Sequence, residues 1–407
     1  MDRLYWERTG CRACGGKFDG LLDLGKPVLS DFVAPDEGDP PSAPLDVVVC
    51  QTCELVQLRH TVNPEQLYRK YWYQSGINET MRAELADIVR TADNYVPPRK
   101  LGRVVLDIGA NDGTLLSNYF LTDRRIAIEP ARNISPSEHA NVVINDFFPH
   151  ATEGLSDRSV DIITSIACFY DLDEPLAFVA EIDRLLSTDG VWIVQFQDLG
   201  QMVQATAFDN ICHEHLCYYS ATTLNRLLAD FDLRIVDGEN RRINGGSLRF
   251  ILQRNSPNKK KVNWIDVQGV YEERTLGRDT LDHFAWRVGQ YKDQLLGVLD
   301  RVRHDHPVDM YGASTKASTL LQYCGLNSGW IRQAVERTPE KWGMETSGTR
   351  IPIIAEGDWR VDPAPVSLLP IWQFKDAILK READYLARGG AFIVPLPVPE
   401  VICARGL

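Results

Sequence analysis

Residues 103–116, RVVLDIGANDGTLL, constrain this chain more than any other stretch. An apolar, β-branched run reads as a buried strand, and the glycines after it read as a tight turn into a helix. Strand, small-residue turn and helix is how an open parallel sheet builds sites at the carboxyl ends of its strands. The spacing is not G-x-G-x-x-G, so no pyrophosphate cradle is expected here. Gly109 and Gly113 let the backbone pass close to a ligand, with Asn111 between them. Asp107, at the strand's end, is placed to meet a cationic amino group. The next apolar run, Arg125–Glu129, ends in an acid 22 residues after Asp107. A carboxylate there accepts hydrogen bonds from both hydroxyls of a ribose. A third run, Val142–Ile144, leads into Asn145, Asp146, Phe147 and Phe148, which offer an amide or carboxylate to an adenine amino group and an aromatic face to its ring. A fourth, Val160–Ala167, closes the pocket.

The second constraint is Cys11-x-x-Cys14 and Cys50-x-x-Cys53. Four thiolates satisfy tetrahedral zinc, and a closed four-cysteine site leaves no position for substrate. The expected role is structural, stapling a segment too small to hold itself together. The 35 residues between the pairs exceed the usual spacing of about 15–20, so they must carry extra strands. Within them, Asp36–Pro44 (DEGDPPSAP) can be neither helix nor central strand. Nine cysteines with no apolar signal core at the N-terminus suit ligands or free thiols in a cytoplasmic protein. No run approaches the ~18 apolar residues of a membrane span. A net charge of −12 repels polyphosphate backbones, which argues against nucleic acid as partner.

Composition divides the chain into a cysteine-bearing segment, a core of alternating helices and strands, and, past a linker at Arg254–Lys261, a long helical pattern with a second alternation. The expected modules are 1–65, 66–255 and 256–407. Between the strand Val191–Phe196 and a later strand Leu248–Leu252 lies the densest chemistry, Phe208–Ser220 (FDNICHEHLCYYS), followed by Asn244–Arg249 (NGGSLR). His213 and His215 are bases near neutral pH, and Glu214, Tyr218 and Tyr219 can orient or donate.

The strand and acid order over residues 100–196 resembles the class I methyltransferase fold, an α/β Rossmann-like core, which implies S-adenosylmethionine as donor. Over the whole length the chain resembles the TDP-sugar carbon-3 methyltransferases of branched deoxysugar pathways. The motifs are the paired cysteines, Tyr71-Trp72-Tyr73-x-Ser75, the DIGANDG turn, Glu214-His215, Asn244–Arg249, Tyr311–Lys316 (YGASTK) and Glu336–Lys341 (ERTPEK). The resemblance implies an N-terminal zinc domain, a methyltransferase core and a C-terminal Rossmann-like domain that helps hold a nucleotide-diphosphate 4-keto-sugar, with a monomer as the working expectation. It carries the catalytic set onto Tyr73, Glu214 and His215. Two positions depart from the family: Cys212 stands where a tyrosine is frequent, and Ala167–Asp173 replaces a segment bearing Asn and His.

At the start of the last alternation, Ser314, Thr315 and Lys316 open a helix whose N–H groups suit a diphosphate, and Asn244 is a second candidate for the acceptor. Trp359, Trp372 and Phe374 read as core. Carbon methylation beside a ketone needs a base to form an enolate and donors to hold its oxygen. The expected base is His215, oriented by Glu214, with Tyr73 and Tyr219 as donors or Tyr73 itself as base. A sugar O-methyltransferase and a non-catalytic nucleotide-sugar-binding protein are the alternatives.

Overall fold

The structure is a computed structural model that describes residues 3–150, 152–255, 272, 275–303 and 306–404. The expected linker lies, beyond Asn255, outside the described residues. The chain forms two compact units. Met1–Asp19, Val48–Leu199 and Glu214–Thr275 make the first; Gly20–Val47, Gly200–His213 and Leu276–Leu407 make the second. Compactness therefore groups 20–47 and 200–213 with the C-terminal residues, a grouping that a division into consecutive segments does not express.

In the first unit seven strands form one sheet, in the order Leu233–Arg241, Ser247–Arg254, Leu186–Gln197, Val160–Ile166, Val104–Ile108, Arg124–Ile128, Val142–Ile144. The last five are mutually parallel, and the first two are antiparallel to their neighbours. All the expected strands of this core form, and Glu129 falls one residue past its strand. Covered on both faces, the central strands read as apolar runs rather than alternations. Helix Glu79–Tyr95 packs Met81, Leu85, Ile88, Val89 and Ala92 against Val105, Ile162 and Ile193, a stripe at helical spacing. Asn78 caps it by accepting from Thr80 N. Arg249, whose side chain is fully buried, donates to Glu84 at 2.7 Å, Asp87 at 2.8 Å and Gln195 at 2.7 Å. It locks that helix to the sheet.

The helix expected after the glycine turn does not form. Asp112 accepts from Thr114 N at 3.1 Å and Thr114 Oγ1 at 2.6 Å, and Asn118 Nδ2 donates to Thr114 O at 2.8 Å. Such side-chain bonds compete with the helical ladder, and only a 3-10 turn, Leu116–Asn118, precedes the next strand.

In the second unit six strands run in the order Ile353–Ala355, Ala334–Glu336, Val308–Tyr311, Val366–Leu368, Ala391–Val394, Glu400–Cys403; all but the last are parallel. Tyr311, Val335, Trp359, Ile378, Tyr385 and Phe392 form its core, so Trp359 is a packing residue. Among the described residues no helix is long and apolar enough to cross a membrane.

Candidate active site and metal centre

The residues expected to hold the donor sit at the carboxyl ends of Val104–Ile108 and Arg124–Ile128. Gly109 and Gly113 have φ of 70° and 79°. A Cβ at 109 would lie 3.3 Å from Cys168 Cβ, and one at 113 would lie 3.1 Å from His139 and Pro136. Both positions therefore require glycine. Asp107 is buried and accepts from Thr164 Oγ1 at 2.6 Å. Burial pushes its carboxyl up to about 7; Thr164 opposes the rise and the charge of Glu129 adds to it. Glu129, also buried, accepts from Asn111 N at 2.7 Å and Ala131 N at 2.8 Å. Burial raises it as well, against those two hydrogen bonds. Among the described residues no basic side chain figures among the causes that set either acid. A cationic ligand would relieve this electrostatic cost.

Sequence reasoning missed how the turn holds Tyr73. Asn111 accepts from Ser75 N at 2.9 Å and donates to Tyr73 O at 2.9 Å, and Asp112 accepts from Gly76 N at 2.7 Å. Asn133 brackets Tyr71, accepting from its N at 2.9 Å and donating to its O at 2.8 Å. Segment 71–76 is thus fastened to the two donor-side turns by three side chains. Tyr73 is 43% exposed, and Asp112 is the charged neighbour of its phenol. Asn145 is spent on Glu129 O and Ala131 O at 2.8 and 2.7 Å. Asp146 accepts from Phe147 N at 2.8 Å and Arg69 at 3.2 Å, and the Arg69 guanidinium lies 4.6 Å from the Phe147 ring centre.

Next come the residues expected to carry the acid–base chemistry. Tyr68 donates to Glu214 O at 3.0 Å. The His215 ring meets Tyr170 edge-on at 4.4 Å, and Leu216 N donates to Tyr170 O at 2.9 Å. His213 differs from its neighbours. It is 3% exposed, donates through Nε2 to Ala43 O at 2.8 Å, and is lowered by burial to about 4, so it is a neutral structural histidine. Tyr219, expected as a donor, is instead a core residue: it is fully buried, with ring centres of Phe169 and Phe196 at 5.1 and 5.4 Å. The apolar positions flanking it in the fold draw the ring inward, which residue type alone does not reveal.

The cysteines fit zinc. Their four Sγ atoms lie within 4.8 Å of one another, with Cys11–Cys53 at 3.5 Å and Cys14–Cys50 at 3.4 Å. Tetrahedral Zn–S bonds of about 2.3 Å place sulfurs about 3.8 Å apart. Gln57 donates to Cys11 Sγ at 3.1 Å and accepts from Arg12 N at 3.0 Å. The knuckle also grips the segment that carries Glu214 and His215 and the one that carries Tyr170. Strand Val56–Leu58 pairs with Cys217–Tyr218, and Leu58 N donates to Leu216 O at 2.9 Å. Asp173, just past the Phe169–Asp171 turn, is held by Arg8 and Arg12 at 3.2 Å each, Thr61 at 2.6 Å and Trp6 at 3.3 Å.

Within the second unit, Gly312 has φ 106°, and a Cβ there would meet Ile371 at 2.5 Å. Ser314 caps helix Thr315–Cys324, accepting from Ala317 N at 3.2 Å. Lys316 donates to Asn210 Oδ1 at 2.8 Å; burial lowers its pKa and the charge of Asp209 opposes that. In the first unit, Asn244 takes a left-handed conformation, φ 53°, in the turn before Ser247–Arg254, and its carbonyl accepts from Gln197 at 3.5 Å.

Three family models match in succession: "Putative zinc binding domain" over 11–68, "Methyltransferase domain" over 77–237 and "C-methyltransferase C-terminal domain" over 242–397. The C-methyltransferase NovU of Streptomyces niveus is 29% identical over 411 residues, covering 97% of each chain. Among solved structures, an S-adenosylmethionine-dependent methyltransferase from Aquifex aeolicus aligns with 18% identity and TM-score 0.33, over 44% of this chain and 94% of that one. Geranyl diphosphate C-methyltransferase from Streptomyces coelicolor aligns with 11% identity and TM-score 0.34, over 44% and 79%. With its four-cysteine zinc knuckle, its class I core for S-adenosylmethionine and its C-terminal module, the chain is similar over almost its full length to a C-methyltransferase.

Proposed function

We propose that the acceptor is a nucleotide-diphosphate-linked 4-keto-deoxysugar, methylated through an enolate at the carbon next to the ketone, carbon 3. The observation that carries this reading is the juxtaposition of Glu214 and His215 with Tyr68 and Tyr170, on a loop fastened to the donor core by Leu216 and Tyr170. S-adenosylmethionine supplies the electrophilic methyl group. His215 removes the proton next to the ketone, and Glu214 orients it. Tyr73, whose phenol stays protonated, donates to the oxygen as it gains charge. The C-terminal module binds the nucleotide: Ser314, Thr315 and the helix N-terminus face the diphosphate, and Lys316 exchanges Asn210 for a phosphate oxygen. Asn244 contacts the sugar. The three sequence modules 1–65, 66–255 and 256–407 are then zinc, donor and nucleotide parts. The test is incubation with S-adenosylmethionine and a panel of TDP-, GDP- and CDP-4-keto-sugars, with products analysed by mass and NMR. A new C-methyl beside the ketone supports the reading; an O-methyl product, or none, overturns it.

A further inference from the structure

Four thiolates carry more charge than one zinc ion offsets, and two of them, Cys11 and Cys50, are buried at 2% and 1% exposure. Buried charge is tolerated when hydrogen bonds reach it. At Cys50 they come from the backbone, with Thr52 N and Cys53 N each 3.4 Å from its Sγ. Cys11 has Ala13 N at 3.4 Å and, closer, the side-chain amide of Gln57 at 3.1 Å. Gln57 is fully buried on the strand Val56–Leu58, where its backbone pairs with Cys217. The strand therefore fixes the place of this residue independently of its amide.

The other neighbour of the amide decides which end faces the sulfur. Gln57 Oε1 lies 3.0 Å from Arg12 N and 3.3 Å from Arg12 Nη1. Both Arg12 groups can only donate, so the amide oxygen must face them. That leaves the NH2 group for Cys11, and it too can only donate. A flipped amide would set N–H against N–H at Arg12 and oxygen against sulfur at Cys11. Cys11 Sγ is thus an acceptor, as a metal-bound thiolate is.

We propose that Gln57 is an outer-sphere residue of the zinc centre: its amide N–H stabilises the metal-bound Cys11 sulfur and holds the ion in place. It is a positioning residue that acts on the metal through Cys11. The sugar reading above bears on none of this.

The test uses the full chain and metal ions alone. Gln57→Met keeps most of the volume and removes both polar ends of the amide. Arg12→Met removes the partner of the amide oxygen and leaves the N–H on the sulfur, so it serves as the control for general loosening of the knuckle. In competition with a chelator, zinc affinity falls about 10- to 100-fold in Gln57→Met and stays within about threefold of wild type in Arg12→Met. With cobalt in place of zinc, the sulfur-to-cobalt charge-transfer band moves to longer wavelength in Gln57→Met, whose Cys11 sulfur is more electron-rich, and stays put in Arg12→Met. In wild type loaded with NMR-active cadmium, the Gln57 side-chain amide proton shows scalar coupling to the metal across Cys11. This last measurement needs no variant and decides alone if Gln57→Met does not fold. Absence of that coupling, wild-type zinc affinity and cobalt spectrum in Gln57→Met, or equal changes in both variants overturns the proposal.

Discussion

Arg12→Met tests whether the zinc knuckle positions the chemistry. The Arg12 side chain is fully buried and donates to Asp173 Oδ1 at 3.2 Å, Gln57 Oε1 at 3.3 Å, Thr61 Oγ1 at 2.6 Å and Leu58 O. Methionine keeps most of the volume and removes every donor. Breaking a buried ion pair from one side costs about 3–5 kcal/mol when the other charge is stranded. Asp173 is 22% exposed and keeps Arg8, Thr61 and Trp6, so the loss belongs at or below the low end, about 2–3 kcal/mol. The segment it releases, 168–173, bears Tyr170 and Asp171, whereas Asp107 lies on the strand Val104–Ile108 and Glu129 one residue past Arg124–Ile128. Methyl-transfer kcat should fall about tenfold or more while affinity for S-adenosylhomocysteine stays within about twofold, since a ~1.4 kcal/mol loss of positioning is already tenfold. Denaturant unfolding, calorimetry and initial rates measure the three quantities. A variant destabilised as expected but with wild-type kcat would refute the link between knuckle and catalysis.

Three further outcomes follow from the same geometry. Glu129→Ala should weaken S-adenosylhomocysteine binding by about 1–3 kcal/mol in calorimetry, the usual penalty for losing a buried acceptor; unchanged affinity would remove Glu129 from the donor site. Asp107 titrates near 7 in the free protein, and a cationic amino group prefers the ionised form. Donor affinity should therefore rise from pH 5.5 to 7.5 and level off above, with Asp107→Asn weaker and flat over that range. Purified protein should carry one zinc per chain by metal analysis, and Cys53→Ser or chelation should lower thermal stability and methyl transfer together.

The glycine turn and the two acids were legible because their placement is written in backbone requirements. Two glycines at positive φ and two acids at strand ends leave marks in sequence that burial does not change. The cysteines were legible for a similar reason, since metal geometry fixes their spacing. The helix after the glycine turn was misread because apolar Leu115 and Leu116 suggest a helical face, while Asp112, Thr114 and Asn118 satisfy the backbone locally instead. Tyr219 looked polar and available, and Phe169 and Phe196, distant in sequence, place it in the core. Arg249 belonged to a recognisable motif, but its partners Glu84 and Asp87 lie more than 160 residues away. Asp171 stood in a segment already marked as divergent, yet its lone buried oxygen emerges only from the fold.

The most direct test of carbon methylation follows the proton that must leave. A 4-keto-sugar nucleotide is prepared with deuterium at the carbon flanking the ketone, then converted by the enzyme with S-adenosylmethionine, and the methylated product is weighed against unreacted substrate from the same mixture. Methyl transfer to carbon through an enolate removes one deuterium for each methyl gained, and His215→Asn should slow that turnover about 10²- to 10⁴-fold, the usual contribution of a general base. A methylated product that retains all the deuterium of its unreacted substrate would contradict the account.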